Sequence, residues 1–187
     1  MIHAETILRA LDSHLASPTD LILYGRAALA LGFQPPPAEA TLSLDVDAIL
    51  PAAQSAQLDS DAAFWDALEA TNHSLEPAGL YLTHLFEESQ VILRPTWLEH
   101  LVPIPLPALR HLRIFRPHAL DLLLTKMMRG LDPQDMADAA FLIHAATLDA
   151  AAIRTAMAQA RIPDVPEIHA AFRAAQPHVL HLAKNGP

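Results

Sequence analysis

Two aspartates separated by one residue, Asp45 and Asp47, stand out as the side chains whose spacing suits chemistry. From Thr41 onward polar and apolar residues alternate, with Thr41, Ser43, Asp45 and Asp47 in one set and Leu42, Leu44, Val46 and Ala48 in the other. A period of two predicts a half-buried strand with all four polar side chains on one face. The Cα atoms of Asp45 and Asp47 would then lie roughly 6.5 to 7 Å apart, so both carboxylates could converge on one divalent cation or straddle two. Hard oxygen ligands suit Mg²⁺ (or Mn²⁺), which takes one or two carboxylates together with substrate phosphates and water. A strand that merely turns one face to water would carry the same pattern.

The elements before this strand bear on that choice. Leu21-Ile22-Leu23-Tyr24 is an apolar run suited to a buried strand, and Gly25 ends it. Arg26 to Leu31 reads as a short helix closed by Gly32. Glycine at such a turn lets a phosphate approach the backbone, and the helix start offers free N–H groups to an anion. Arg26 would add a cationic donor. An ordinary strand-to-helix turn would also use a glycine for its geometry.

Around these, Ile7, Leu8, Leu11 and Leu15 predict a helix over residues 3–16. Ser60 and Asp61 open an amphipathic helix reaching about Thr71, with Phe64, Trp65 and Leu68 expected to face inward. Strand-like patches follow at Leu80–Phe86, Gln90–Leu93 and Leu109–Phe115, and Pro103, Pro105 and Pro107 indicate an edge or a loop crossing. Helices are expected at 118–129, 133–146, 149–160 and 165–183, with Gly130 ending the first, Asp132 and Pro133 opening the second and Asp149 the third. The expected fold class is α+β, with an α+β core over 1–117 followed by a helical C-terminal part over 118–187. Without a repeat or a low-complexity linker, one compact unit is expected.

Bulk properties narrow the function classes. The 187 residues carry 21 acids against 12 bases, a formal net charge of −9. No two Lys or Arg residues adjoin, which argues against tight non-specific nucleic-acid binding. The chain has no cysteine, which excludes disulfides, thiolate nucleophiles and Cys-ligated metals. The N-terminus lacks a basic segment followed by an apolar one, and no apolar stretch approaches ~18 residues. The reading is a cytoplasmic protein without a membrane span.

In order, the strand, the Gly25 turn, the helix and the strand bearing Asp45-Val46-Asp47 resemble the opening of the polymerase-beta-like nucleotidyltransferase superfamily. Within it the chain looks most like the small bacterial group related to the AbiEii toxin, where a Thr commonly stands two residues before the first Asp; Ser43 holds that place. The likeness continues through Arg94-Pro95-Thr96-Trp97, through Asp121-Leu122-Leu123-Leu124-Thr125-Lys126-Met127-Met128-Arg129-Gly130, and through Asp132-Pro133-Gln134-Asp135. It spans about residues 20–145.

This resemblance implies a nucleotidyltransferase-like mixed sheet with flanking helices and a C-terminal helical bundle. It implies transfer of a nucleoside monophosphate from an NTP to a protein, RNA or small-molecule acceptor, in a bacterial toxin–antitoxin or phage-defence setting with a cognate protein partner. Asp45 and Asp47 would be catalytic metal ligands, Gly25, Arg26, Ser43 and Lys126 would contact the nucleotide, and Asp121 and Asp135 would support them. Three positions depart from the pattern: Arg26 replaces a second Gly or Ser, Gln134 replaces a basic residue, and Thr83 stands where the third carboxylate is expected. A catalytically degenerate relative that binds a nucleotide or a protein is the alternative.

Some of these residues have plainer roles available. Lys126 near a helix end offsets the helix dipole, and Asp135 suits the third position of a helix capped by Asp132. A Lys126–Asp135 bridge would join the two helices. His178, His181 and His111 read as solvent-facing or capping residues, and Met127-Met128 as core filling.

Overall fold

The computed structural model describes residues 2–184. They divide into two compact units, the first running to Glu87 and resuming over Val102–Arg116, the second comprising Glu88–Leu101 and the chain from Pro117 onward. The segment Glu88–Leu101, expected with the N-terminal part, belongs to the helical unit. Its attachments explain this: Leu93 forms a backbone bridge with Arg161, and Arg94 binds Asp121.

The first unit is α+β. It contains α1 (His3–His14), β1 (Thr19–Tyr24), α2 (Gly25–Gly32), β2 (Asp45–Leu50), α3 (Ala52–Leu58), α4 (Ala62–Leu75), β3 (Tyr81–Glu87), β4 (Val102–Pro103) and β5 (Leu112–Arg116). The five strands form one mixed sheet in the order β3-β2-β1-β5-β4. Strand β1 lies antiparallel to β2 and parallel to β5, and β2 lies parallel to β3. Pro103 sits in the two-residue edge strand β4, where a missing N–H does no harm.

Ile7, Leu8 and Leu11 on α1 and Phe64, Ala67 and Leu75 on α4 are buried, and these two helices pack on each other. Trp65 instead turns outward and donates its indole N–H to the Leu58 carbonyl, 2.7 Å away, so it is not a core residue. Asp12 on α1 is 7% exposed and accepts backbone N–H bonds from Arg110, His111 and Leu112 at 2.7 to 3.1 Å. That carboxylate ties the helix to the start of β5. Burial raises its pKa, the three N–H donors lower it, and the net displacement is downward.

Strand β2 begins at Asp45 and not at Thr41. Residues Ala38–Leu42 form a 3-10 helix, in which the Thr41 hydroxyl donates to the Ala38 carbonyl at 2.6 Å. Leu42 and Leu44 are consequently 67% and 53% exposed. The alternation before Asp45 is real in the sequence, but the local hydrogen bonds of a tight turn take precedence over it.

The second unit is helical, with α5 (Ala119–Thr125), α6 (Pro133–Ala145), α7 (Ala150–Gln159) and α8 (Pro166–Lys184). Asp132 caps α6 by accepting from Asp135 N, and Asp149 caps α7 by accepting from Ala151 N and Ala152 N. Gly130 takes a positive φ of 69° in the turn beyond α5, a conformation that costs a glycine little. The Gln90–Leu93 patch forms no strand; Leu93 makes only an isolated bridge. No helix among the described residues is long and apolar enough to cross a membrane.

Candidate metal and nucleotide site

The two aspartates occupy the first and third positions of β2, half-buried on one face, while Val46 between them is fully buried. Alternation along the strand places them there. The Oδ1 of Asp45 accepts the Ser43 hydroxyl at 2.7 Å, which orients that carboxylate.

Asp47 is held differently. The register between β2 and β3 slips after Val46, which pairs with Leu82, so that Asp47 pairs with His84 and Thr83 is left as an extra residue. A bulge of this kind brings two residues of one strand opposite one of the other. Both reach the same atom: the Thr83 hydroxyl donates to Asp47 Oδ1 at 2.9 Å, and His84 Nδ1 lies 3.4 Å from it. The His84 ring stacks on Phe86, with centroids 5.3 Å apart, and Phe86 meets Tyr24 edge-on at 5.4 Å.

The Gly25 turn arrives at the same place. Tyr24 pairs with Asp47 in the sheet register, so the chain enters α2 beside that carboxylate. Gly25 has φ +61°, and a Cβ built on it would lie 3.8 Å from Asp47 Oδ2. No side chain caps α2, and its first turn contains no acid. The positive end of the helix dipole therefore stands next to a carboxylate. Arg26, in that first turn, donates to Glu39 Oε2 at 3.2 Å. The Arg26 side chain is 20% exposed and that of Glu39 83%, so water screens this pair from the glutamate side.

Gly25, Arg26, Ser43, Asp45 and Asp47 thus all belong to the first unit, around the start of β2. Lys126, Asp121 and Asp135 belong to the second, where each has a defined partner. Lys126 is 6% exposed, and its ammonium contacts Asp135 at 3.3 Å and Asp138 at 2.7 Å. Arg129 Nε donates to Asp135 Oδ2 at 2.6 Å. Asp135 is also the third residue of the helix that Asp132 caps, so it fills both roles its position allows. The Asp135 N–H chiefly holds the Asp132 carboxyl below its ordinary pKa; desolvation opposes it, and nearby Arg129 adds a lesser lowering. Asp121, fully buried, receives the Arg94 guanidinium at 3.0 and 2.7 Å and the Arg94 backbone N–H at 3.0 Å.

Sequence reasoning missed Asp138, which the i, i+3 spacing from Asp135 on one helix face makes visible in retrospect. It also missed His84 at Asp47, because the bulge that brings it there has no local signature. His178 and His181 lie exposed on α8.

Mg²⁺ suits the donor set, since two oriented carboxylates are a sufficient protein contribution for that ion. No group of three or more His, Asp or Glu residues that could hold a metal ion occurs among the described residues. Comparisons of the chain with protein-family models, with curated proteins and with solved structures gave no match.

Proposed function

We propose that this chain is a metal-dependent nucleotidyltransferase of the polymerase-beta-like kind, moving a nucleoside monophosphate from an NTP to an acceptor nucleophile. The observation that carries this reading is the meeting of opposite polarities at Asp47. A glycine turn and an uncapped helix start, both suited to phosphate, lie against a carboxylate pair suited to a divalent cation. A metal-bound triphosphate needs both, side by side.

In this reading Asp45 and Asp47 hold Mg²⁺, with Ser43 and Thr83 fixing the rotamers of the two carboxylates. The Gly25 backbone and the start of α2 bind the phosphate oxygens, with the Arg26 guanidinium adding positive charge beside them. An acceptor oxygen attacks the α-phosphorus, and the bond to the bridging oxygen of the departing pyrophosphate breaks. When bound, the cation offsets charge on the leaving group and favours the deprotonated attacking oxygen. The buried Lys126 cluster is assigned the lesser part of stabilising the helical unit, since its ammonium already faces two carboxylates.

Incubation of the purified chain with Mg²⁺, α-labelled NTPs and cell extract tests the proposal. Label should pass to a macromolecule or small acceptor, and Asp45→Asn with Asp47→Asn should abolish the transfer. Transfer that survives the double substitution would reject the assignment.

A second reading, a nucleotidyltransferase-like protein that binds nucleotide without turnover, draws on Thr83. A hydroxyl stands at Asp47 where a third carboxylate would serve as base, and it cannot take a proton from the acceptor. Mg²⁺-dependent NTP binding without label transfer to any acceptor would favour this reading.

A further inference from the structure

We propose that the groove between α4 and the start of β3 is the nucleobase subsite, with Tyr81 as its stacking face. The inference rests on the nucleotide reading of Asp45 and Asp47, and adds where the uncharged end of the nucleotide goes.

Three observations support it. Tyr81 is the register partner of Asp45, one strand away, so a group resting on its ring lies next to the carboxylate pair. The ring is exposed at 38% and is joined by two further exposed apolar side chains, Leu44 at 53% and Leu42 at 67%. Leu44 adjoins Tyr81 directly, accepting its N–H at 3.0 Å. Exposed apolar side chains near an acidic pair give an uncharged group a surface to rest on.

Tyr81 also forms a wall of a groove of about 460 Å³ with Leu68, Glu69, Asn72, His73 and Glu76. That volume suits a nucleoside-sized ligand. The electrostatics then set the orientation. Glu69 and Glu76 repel phosphate from the groove, whereas the Gly25 turn and the α2 start attract it. Tyr81, which lines the groove and is the register partner of Asp45, is the link between them: the uncharged base takes the Tyr81 side and the polyphosphate the Asp47 side, with His73 beside Glu76 on the groove's far wall. Base–aromatic stacking accepts any base, because every base has a π-face.

The test compares two ligands on the intact chain by calorimetric titration in Mg²⁺: an NTP and inorganic tripolyphosphate. Wild type should bind the NTP more tightly. Tyr81→Ala should weaken NTP binding by roughly ten-fold, the scale of one lost stacking contact, and leave tripolyphosphate binding unchanged. Tyr81→Phe, which keeps the ring, should bind NTP as wild type does and shows that the strand is intact. Equal affinity of wild type for both ligands, or an NTP affinity unmoved by Tyr81→Ala, would overturn the base subsite while the polyphosphate site stands. Absence of any Mg²⁺-dependent binding to wild type would overturn the underlying nucleotide reading, and the subsite with it.

Discussion

Gly25 and Asp47 meet across the β1–β2 pair: the glycine has a left-handed φ of +61°, and its absent Cβ would stand 3.8 Å from the aspartate's Oδ2. Replacement by alanine places a methyl group in ordinary contact with the carboxylate, so space is not the obstacle. The backbone is, at a cost of about 1 to 2 kcal/mol for an L-residue held in that region. Gly25→Ala is expected to lower unfolding stability by that amount in urea titration. It should also remove NTP-dependent thermal stabilisation more completely than its own stability loss explains, because the turn backbone is part of the proposed phosphate site.

Thr83→Asp tests the bulge directly. A carboxylate introduced at residue 83 faces Asp47 Oδ1, which the hydroxyl now touches at 2.9 Å. Without metal the like charges repel, and the melting temperature should fall. With millimolar Mg²⁺ the same variant should recover more than wild type gains, since it offers the cation an additional oxygen donor. A melting temperature that ignores Mg²⁺ in both proteins would count against metal binding at this position.

Asp12 makes stability depend on acid. Its folded pKa lies below the ordinary carboxylate value, because three backbone N–H bonds outweigh the opposing effect of burial. The contribution is therefore fully present above the unfolded pKa of about 3.9 and is lost as the pH falls through the lower, folded pKa. Asp12→Asn should cost about 2 kcal/mol near neutrality, the worth of hydrogen bonds to a charged group. The gap between variant and wild type in urea titrations should narrow below about pH 4.

Lys126→Met should be among the most destabilising single changes in the helical unit. It leaves Asp135 and Asp138, each 4% exposed, without the ammonium between them. Loss of one partner from a buried ionic cluster costs about 3 to 5 kcal/mol. Arg129, bonded to Asp135 at 2.6 Å, offsets part of this. Denaturant unfolding followed by circular dichroism measures the loss.

Strand β3 is an edge of the sheet, and Asn72 covers part of it: the amide donates to Leu82 O at 3.0 Å and accepts Leu82 N–H at 2.8 Å. The side chain thereby imitates a neighbouring strand for one residue. Asn72→Leu should expose both backbone groups and promote self-association, because an open edge is a template for pairing. Size-exclusion chromatography across a concentration series would detect this as a shift toward larger species absent in wild type.

What the sequence revealed depended on how locally each feature is determined. Asp132, Asp149 and Gly130 mark helix ends through contacts within three residues, and the predicted helices there agree closely with α6 and α7 and with the turn after α5. Strand β1 and the Asp45, Asp47 face were legible from apolar runs and alternation. Thr41 and Leu42 misled because they belong to a 3-10 turn in which Thr41 bonds Ala38, a hydrogen bond that leaves no trace in the polar pattern. The partners of Asp12 and Asp121 lie 98 to 100 and 27 residues away, and no local rule finds such pairs. The candidate site was half visible for the same reason: Asp45 and Asp47 announce themselves, whereas Thr83 and His84 reach Asp47 through a register slip between distant strands.

That slip gives residue 83 an odd genetic status. Because Val46 pairs with Leu82 and Asp47 with His84, removing the Thr83 codon would close the ladder without turning any other side chain of β3 to the opposite face. Most deletions within a strand invert everything downstream of them; this one would leave the sheet in register and take away only a hydroxyl from Asp47. A frame-preserving loss of that codon would take the Thr83 hydroxyl from Asp47 while every other pair of the β2–β3 ladder stays as it is.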